Sequence, residues 1–496
     1  MKHRSPLSSE KKSYLVIFML YIVYGISYSL LIPALPALTL QITEGNSAKS
    51  SIIYGFASFI RYSLEFFSSP VLGTIADAKG RKPVLLLAYL ISAFEFMLLA
   101  FFPSIAMIFI TRAMSGLFDA GVATSYAIVT DTALFNNDTV SQQYALLGAM
   151  TGVAFIVGPY FGGILSQTNL TLCFCLASLT AFIGALACYF LLEETVQLRT
   201  PTHPLSCPVD TFPPLTTPQS LLASINPLNG LKVNLSNPKI RQYLFPLFLS
   251  TLNTGMSFLW YIYLHARYAA SPVQIGTFLS FHGFMNAIMQ GIVIQYIIPD
   301  CLDEKYASVL LMFSAALHSL GNALAADMTQ LYLVTVVLGI SIAQYPAFKA
   351  VIINDGLDTP EGLRNQANLQ GTISSVRTLA TALGALCYSS VTAWGMELHP
   401  VAYPQVGFVV SAIIYAMSWF YLRVLFAEQD EAARQEMEAA AYTPPSRSVL
   451  TDAELLLYDE NRPLLQQHGR SPRSKSYETL ATFHETRMHD ETEFLT

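Results

Sequence analysis

Charge is scarce in this chain. Of its 496 residues, 12% are Asp, Glu, Lys or Arg, about half the share found in an ordinary soluble domain. A soluble enzyme and a disordered chain are both excluded, since each needs far more polar surface. Cysteine is sparse as well. Cys173, Cys175 and Cys188 share one apolar run, Cys387 lies in another, and Cys207 and Cys301 fall in loops. None has zinc-ligand or disulfide spacing, so they read as small buried hydrophobes. Nucleotide-binding loops, metal clusters and nucleophile–base–acid sets are missing too. No enzyme activity, cofactor, metal or nucleic-acid partner is therefore expected.

What the chain has in quantity is apolar sequence, 53% of it. A bilayer span needs about 20 such residues. Runs of that kind lie near 14–36, 51–75, 84–102, 105–130, 143–166 and 170–192. After a polar break they resume near 242–264, 273–298, 306–326, 330–353, 367–394 and 403–427. The first run is too long for a signal peptide and has no small-residue cleavage site, so it reads as a retained helix. The expected fold is an all-α membrane protein of twelve transmembrane helices, arranged as two pseudo-symmetric six-helix bundles. Its segments are an N-terminus (1–13), a first bundle (14–194), a linker (195–241), a second bundle (242–427) and a tail (428–496).

Basic residues orient the spans. Lys2, Arg4, Lys11 and Lys12 precede the first run, Lys79, Arg81 and Lys82 follow the second, and Arg199, Lys232, Lys239 and Arg241 lie in the central break. The opposite loops offer little beyond Lys49 and Arg267. Both termini and the proline-rich linker are thus expected in the cytosol. The net charge of −6 is a property of the tail, which holds 14 acidic and 7 basic residues from Glu428 onward. The remainder is nearly neutral, with 20 basic and 19 acidic residues.

The halves echo each other. Ala127-Ile-Val-Thr-Asp131 ends the fourth run and Val351-Ile-Ile-Asn-Asp355 ends the tenth, an offset of 224. Gln143-Tyr-Ala-Leu-Leu-Gly148 and Gln366-Ala-Asn-Leu-Gln-Gly371 repeat at 223. Duplicated bundles that rock about a central site are a known transporter design.

Between the second and third runs stands Gly73-Thr-Ile-Ala-Asp77-Ala-Lys-Gly80-Arg81-Lys82-Pro83. Here the chain resembles the major facilitator superfamily, whose signature at this place is G-x-x-x-D-x-x-G-R-K. Gly80 permits a tight turn, Asp77 is placed to accept from a neighbouring helix N-terminus, and Arg81 can fork onto a carboxylate. The resemblance implies a conformational latch of Gly73, Asp77, Gly80, Arg81 and Lys82 with Asp131. Gly25-Ile-Ser-Tyr-Ser-Leu-Leu-Ile-Pro33-Ala-Leu-Pro36 is similar to the first helix of drug:proton antiporters, and Arg112-Ala-Met-Ser-Gly116 to their fourth-span motif. Gly158, Pro159, Gly162 and Gly163 form the fifth-span G-P-x-x-G-G motif, which the family associates with antiport; helix packing alone is the other reading. The chain also resembles the branch containing tetracycline exporters, proton-coupled folate transporters and hippocampus abundant transcript proteins. The likeness to the branch covers residues 14–427, and the likeness to the last of these groups is carried by Phe66-Phe-Ser-Ser-Pro70, Tyr345-Pro-Ala347 and Pro463-Leu-Leu-Gln466.

Ionisable residues inside spans are costly and read as functional by default. Arg61 and Glu65 share a face of the second run, four apart, and Arg112 and Asp119 a face of the fourth, seven apart. Glu65, Asp119 and Arg112 are the proton-coupling candidates, against the alternative of mutually neutralising pairs. Arg61, Arg377, Tyr345, Lys349 and His282 are the substrate-cavity candidates; Lys349 could instead snorkel and His282 could simply pack. Glu95 has no partner in its own helix and reads as a gate or a helix–helix contact. Convergence of Arg61, Arg112, Arg377 and Lys349 would make a cationic cavity for an anionic or zwitterionic solute.

In the tail, Glu460-Asn-Arg-Pro-Leu464-Leu465 resembles an acidic dileucine sorting signal, and Tyr477-Glu-Thr-Leu480 a tyrosine-based one. They favour an endosomal, lysosomal or vacuolar membrane over the plasma membrane, with sorting adaptors as partners. The expected function is secondary active transport of a small organic solute by alternating access, proton-coupled, by a monomer in a lipid bilayer. The rivals are a uniporter without protons and a transport-dead receptor or sorting partner.

Overall fold

The computed structural model describes residues 6–136, 140–195, 238–289, 302–357, 366–398 and 403–442. Every regular element among them is helical. The first half consists of α1 (Pro6–Ser29), α2 (Leu31–Ile42), α3 (Ser47–Lys79), α4 (Arg81–Phe101), α5 (Ile105–Phe118), α6 (Gly121–Asn136), α7 (Val140–Thr168) and α8 (Leu170–Leu191). The second consists of α9 (Pro238–Leu252), α10 (Thr254–Phe258), α11 (Trp260–Tyr268), α12 (Pro272–Ile288), α13 (Glu304–Leu324), α14 (Met328–Leu338), a 3-10 turn (Gly339–Ala343), α15 (Gln344–Leu357), α16 (Gln366–Glu397) and α17 (Val406–Tyr442). Interrupted spans account for the excess over twelve: α1/α2, α5/α6, α9–α11 and α14/α15 are each one crossing. A second compact unit, Ala427–Thr496, is described only to Tyr442.

Helix starts on one face of the membrane are fixed by local chemistry. Asn46, Ser104, Asn169, Ser271 and Asp327 each accept a backbone N–H of the first turn, and Ser271 completes a capping box with Gln274. Such caps satisfy donors that have no intrahelical partner. These five turns define a hairpin face. Gly80, Thr195 and Pro238 lie on the opposite, linker face.

Eight segments are long and apolar enough to cross a membrane by length and composition. The crossings outside that set are α3, α9–α11, α12 and α16. All four meet the other half of the molecule, and the most extensive contacts between halves are α3 with α16 and α7 with α12. A helix that faces protein and a cleft rather than lipid tolerates polar residues.

The cores show how the halves meet. One cluster near the hairpin face draws on both, from Leu30, Leu35 and Tyr54 to Trp260, Phe278 and Phe408. Toward the linker face there are two separate clusters. Ile17, Tyr24, Tyr89 and Ile128 belong to the first half, while Tyr243, Phe348, Ile373 and Leu422 belong to the second. The halves are therefore fused at the hairpin end and parted toward the linker end. Backbones touch at the fusion: a Cβ on Gly163 of α7 would lie 3.0 Å from Gly276 Cα of α12.

Candidate functional site

The first half neutralises each of its intramembrane arginines. Arg61 Nη2 lies 3.3 Å from Asp119 Oδ2, with side chains only 11% and 6% exposed. Asp119 sits where α5 ends and α6 has yet to begin. Its carboxylate also accepts from the Tyr24 hydroxyl and, at 3.1 Å, from Gly121 N–H. The absent side chain of Gly121 leaves room for the Tyr24 ring. The Arg61 guanidinium stacks on Tyr28 at 4.6 Å. Arg112 lies 3.0 Å from Glu95 of α4, both deeply buried.

This arrangement corrects one expectation and supplies the partner of Glu95. Arg112 and Asp119 do not act as one face, because the helix on which that spacing depends is interrupted at Asp119. Glu95, without a partner in its own helix, finds one across the α4–α5 contact. Of the four cations, Arg61 and Arg112 are each paired with a carboxylate, yet both act together with Arg377 on Tyr62.

The second half is built differently. Arg377 is exposed although it lies in the middle of α16, and its guanidinium lies over the Tyr345 ring at 4.7 Å. Tyr345 and Lys349 are four apart on α15, hence on one face. Lys349 is half-buried and near enough to feel the Arg377 charge. Among the described residues no carboxylate comes within ion-pair distance of either cation. His282 sits deeper, stacked on His318 with ring centroids 6.4 Å apart and facing Trp260 at a similar separation. His318 Nδ1 is 2.6 Å from Ser341 Oγ in the 3-10 turn. His282 therefore belongs to a histidine pair.

The latch residues do meet. Arg81 Nη2 reaches Asp77 Oδ1 at 2.5 Å and its Nε reaches Asp131 Oδ2 at 3.3 Å, with the Asp131 side chain fully buried. Gly80, at φ 114°, makes a turn that side-chain-bearing residues rarely adopt. Glu194 accepts from the N-terminus of α4. Its carboxylate takes the backbone N–H of Arg81 at 2.8 Å and of Lys82 at 3.2 Å. Lys82 extends over Tyr189 at 5.6 Å. Gly73 faces open space.

A second latch stands at the equivalent place in the other half. Lys305 Nζ lies 3.2 Å from Asp355 Oδ2, which also accepts from Tyr243. Lys305 follows Arg81 by 224 residues and Asp355 follows Asp131 by the same number. Lys305, Glu194, Tyr24, Tyr243 and His318 were not among the sequence candidates. The repeat offset applied to Arg81 would have found Lys305.

The G-P-x-x-G-G glycines pack within the first half and against the second. Gly158 and Gly162 admit Ser29 and Leu30 at the α1/α2 break, and Gly163 admits α12. Pro159 lies within α7. The sorting candidates Glu460, Leu464, Leu465, Tyr477 and Leu480 lie outside the described residues.

Comparison with known proteins agrees with this architecture. The Major Facilitator Superfamily pattern matches residues 17–385. A class H tetracycline resistance protein of Pasteurella multocida is 24% identical over 422 residues, covering 83% of this chain and 97% of that protein. Major facilitator superfamily domain-containing protein 10 of Mus musculus is 25% identical over 450 residues, covering 84% and 93%. The crystal structure of the human organic anion transporter MFSD10 (TETRAN) superposes with a TM-score of 0.62 at 22% identity, covering 84% of this chain and all of that one. The nucleoside transporter NupG gives 0.63 at 13% identity, covering 83% and 98%. At such identities the solved structures establish the fold and not the solute. With the family pattern spanning most of the sequence and the twelve-helix fold in place, this multi-pass membrane protein belongs to the major facilitator superfamily of transporters.

Proposed function

We propose that the protein is a proton-coupled secondary transporter of a small organic anion, working by alternating access. The observation that carries this reading is the Arg377–Lys349 pair. Two cations within electrostatic range, on surfaces facing the cleft and without a carboxylate partner among the described residues, make a site that an anion would complete. Tyr345 keeps the guanidinium in place, and Arg is suited to fork a carboxylate, sulfonate or phosphate. A relative whose name is that of an organic anion transporter supports the same class. A zwitterion fits only if its cationic end meets Glu65.

In this reading the fused hairpin end and parted linker end describe a state open to the linker side. Positive charge around Lys79, Arg81 and Lys82 supports a cytosolic position for that side, with both termini there. Glu65 and Asp119 are the proton sites. The Arg81–Asp77–Asp131 latch, braced by Glu194, sets the mobility of the linker side, and Lys305–Asp355 does so for the second half. The tail signals direct a monomer to an endolysosomal or vacuolar membrane, where sorting adaptors recognise them.

Purified protein in liposomes tests the anion claim, with uptake of labelled organic anions, neutral analogues and cationic drugs compared between the native chain and Arg377→Gln. The expected result is saturable anion uptake that falls at least tenfold in the variant, with cations untouched. Uptake of cations, or anion uptake indifferent to Arg377, overturns it.

A further inference from the structure

The face of α3 opposite Arg377 carries a carboxylate whose arginine is already engaged. Arg61 and Glu65 stand one turn apart on α3, but Arg61 gives its guanidinium to Asp119. Glu65 makes no ion pair of its own among the described residues and is half-buried.

Helix register brings it to the cation of the other half. α3 and α16 run antiparallel, with Gly55 against Ser389 and Ser51 against Met396. Counting along both helices from those contacts sets Arg377 level with residues 67–70 of α3, within about one helical turn of Glu65. Tyr62, next to Arg61, crosses the same gap to stack on Phe258 of the second half at 5.3 Å. The charged groups acting on Glu65 are Arg61 on its own helix, Asp119 at the α5/α6 break and Arg377 across the cleft. Arg377 in turn faces Tyr345, Tyr62 and Lys349. Without solute, therefore, Glu65 is, among the described residues, the carboxylate that acts on Arg377 across the cleft, at Coulombic rather than contact range.

We propose that the anionic solute and Glu65 compete for Arg377, so that solute binding draws a proton onto Glu65 and the two cross the membrane together as a symport. This rests on the anion reading of the Arg377–Lys349 site and adds the sense of the coupling. The step balances simply. The solute brings one negative charge to Arg377, the Glu65 carboxylate loses that counter-charge and gains a negative neighbour, and a proton from water restores neutrality as a carboxyl O–H. By linkage the proton must then favour the anion to the same degree. An exchanger would require the opposite geometry, with the solute displacing the proton from its own site.

The test uses full-length protein in weakly buffered detergent, mixed with aryl and alkyl sulfonates, which are charged at every working pH and carry no proton. Binding is read by thermal shift and proton movement by an indicator dye. The expected result is proton uptake in proportion to binding in the native chain. Glu65→Gln should bind at least as tightly without taking up a proton, and Arg377→Gln should lose both signals while melting at the native temperature in the absence of ligand. Binding with proton release, or with no proton movement, overturns the symport assignment and leaves the anion site standing. Uptake that persists in Glu65→Gln moves the proton to another residue and equally defeats the proposal. Failure of every sulfonate to bind in an Arg377-dependent way overturns the anion reading beneath it.

Discussion

The first half carries Arg61, Arg81 and Arg112 within its helices and supplies each with a carboxylate. The second carries Arg377 and Lys349 and gives them an aromatic ring and each other's company. Both halves descend from one pattern, as the matched latches at an offset of 224 residues attest, so the difference lies in what each has done with the same frame. An ion pair makes a charged helix tolerable in the bilayer and can be purely architectural. A cation left without a carboxylate keeps its cost and has to be explained by what visits it. The contrast points to the second half as the place of solute recognition and to the first as the place where charge is held in balance.

The contrast is most sharply tested at Arg112–Glu95. Replacing Arg112 by Gln leaves Glu95 buried and opposite a neutral group, which should cost about 3 kcal/mol or more. A lower melting temperature and a poorer folded yield in detergent are the measurements, and Glu95→Gln added to Arg112→Gln should recover most of the loss. If the double variant is no better than the single one, the pair is not a neutralising device and the comparison weakens at its root.

A smaller effect is expected at the first latch. Arg81→Gln removes two ion pairs while Glu194 still holds the α4 N-terminus, so the fold survives and the exchange between states suffers. Turnover should fall about tenfold, the scale of one charge-assisted hydrogen bond, with solute affinity changed little. Loss of affinity in parallel with turnover would move Arg81 from the latch to the binding site. The smallest effect belongs to Lys305→Gln. Its side chain and that of Asp355 are 33% and 22% exposed, against 7% and 0% for Arg81 and Asp131. Solvent screening confines such a pair to about 1 kcal/mol or less, and the effect should fade further in high salt. Equal defects at Arg81 and Lys305 would show that exposure does not distinguish the two latches.

Much of this was readable from the residues alone. Six apolar runs, a break and six more gave the architecture, and the spacing from Gly73 to Lys82 gave a turn whose arginine does reach Asp131. The misassigned partners share one cause. Spacing along a sequence predicts neighbours on one helix and holds only while that helix is unbroken, so the interruption at Asp119 sent Arg112 to Glu95 and brought Arg61 to Asp119. Partners across helices, such as Glu194 on the α4 N-terminus or Tyr24 on Asp119, leave no periodic trace. Lys305 was different, because the repeat offset was already measurable from Asp131 and Asp355. The neighbourhood of Lys305 lacks the glycine-flanked signature of its counterpart, and so it drew no notice.

The contact of Gly163 with Gly276 has a mechanical meaning. From Val140 to Gly163 α7 climbs 23 steps, a lever of about 35 Å at the helical rise. With no side chain between the two backbones, the pivot is hard and short while the arm is long. Rocking the halves by about 10° around it would carry the linker end of α7 through about 6 Å, roughly the width of a small solute. A methyl group added at the pivot would do more than spoil a contact. It would lift the fulcrum, and the same rotation would no longer bring the far end home.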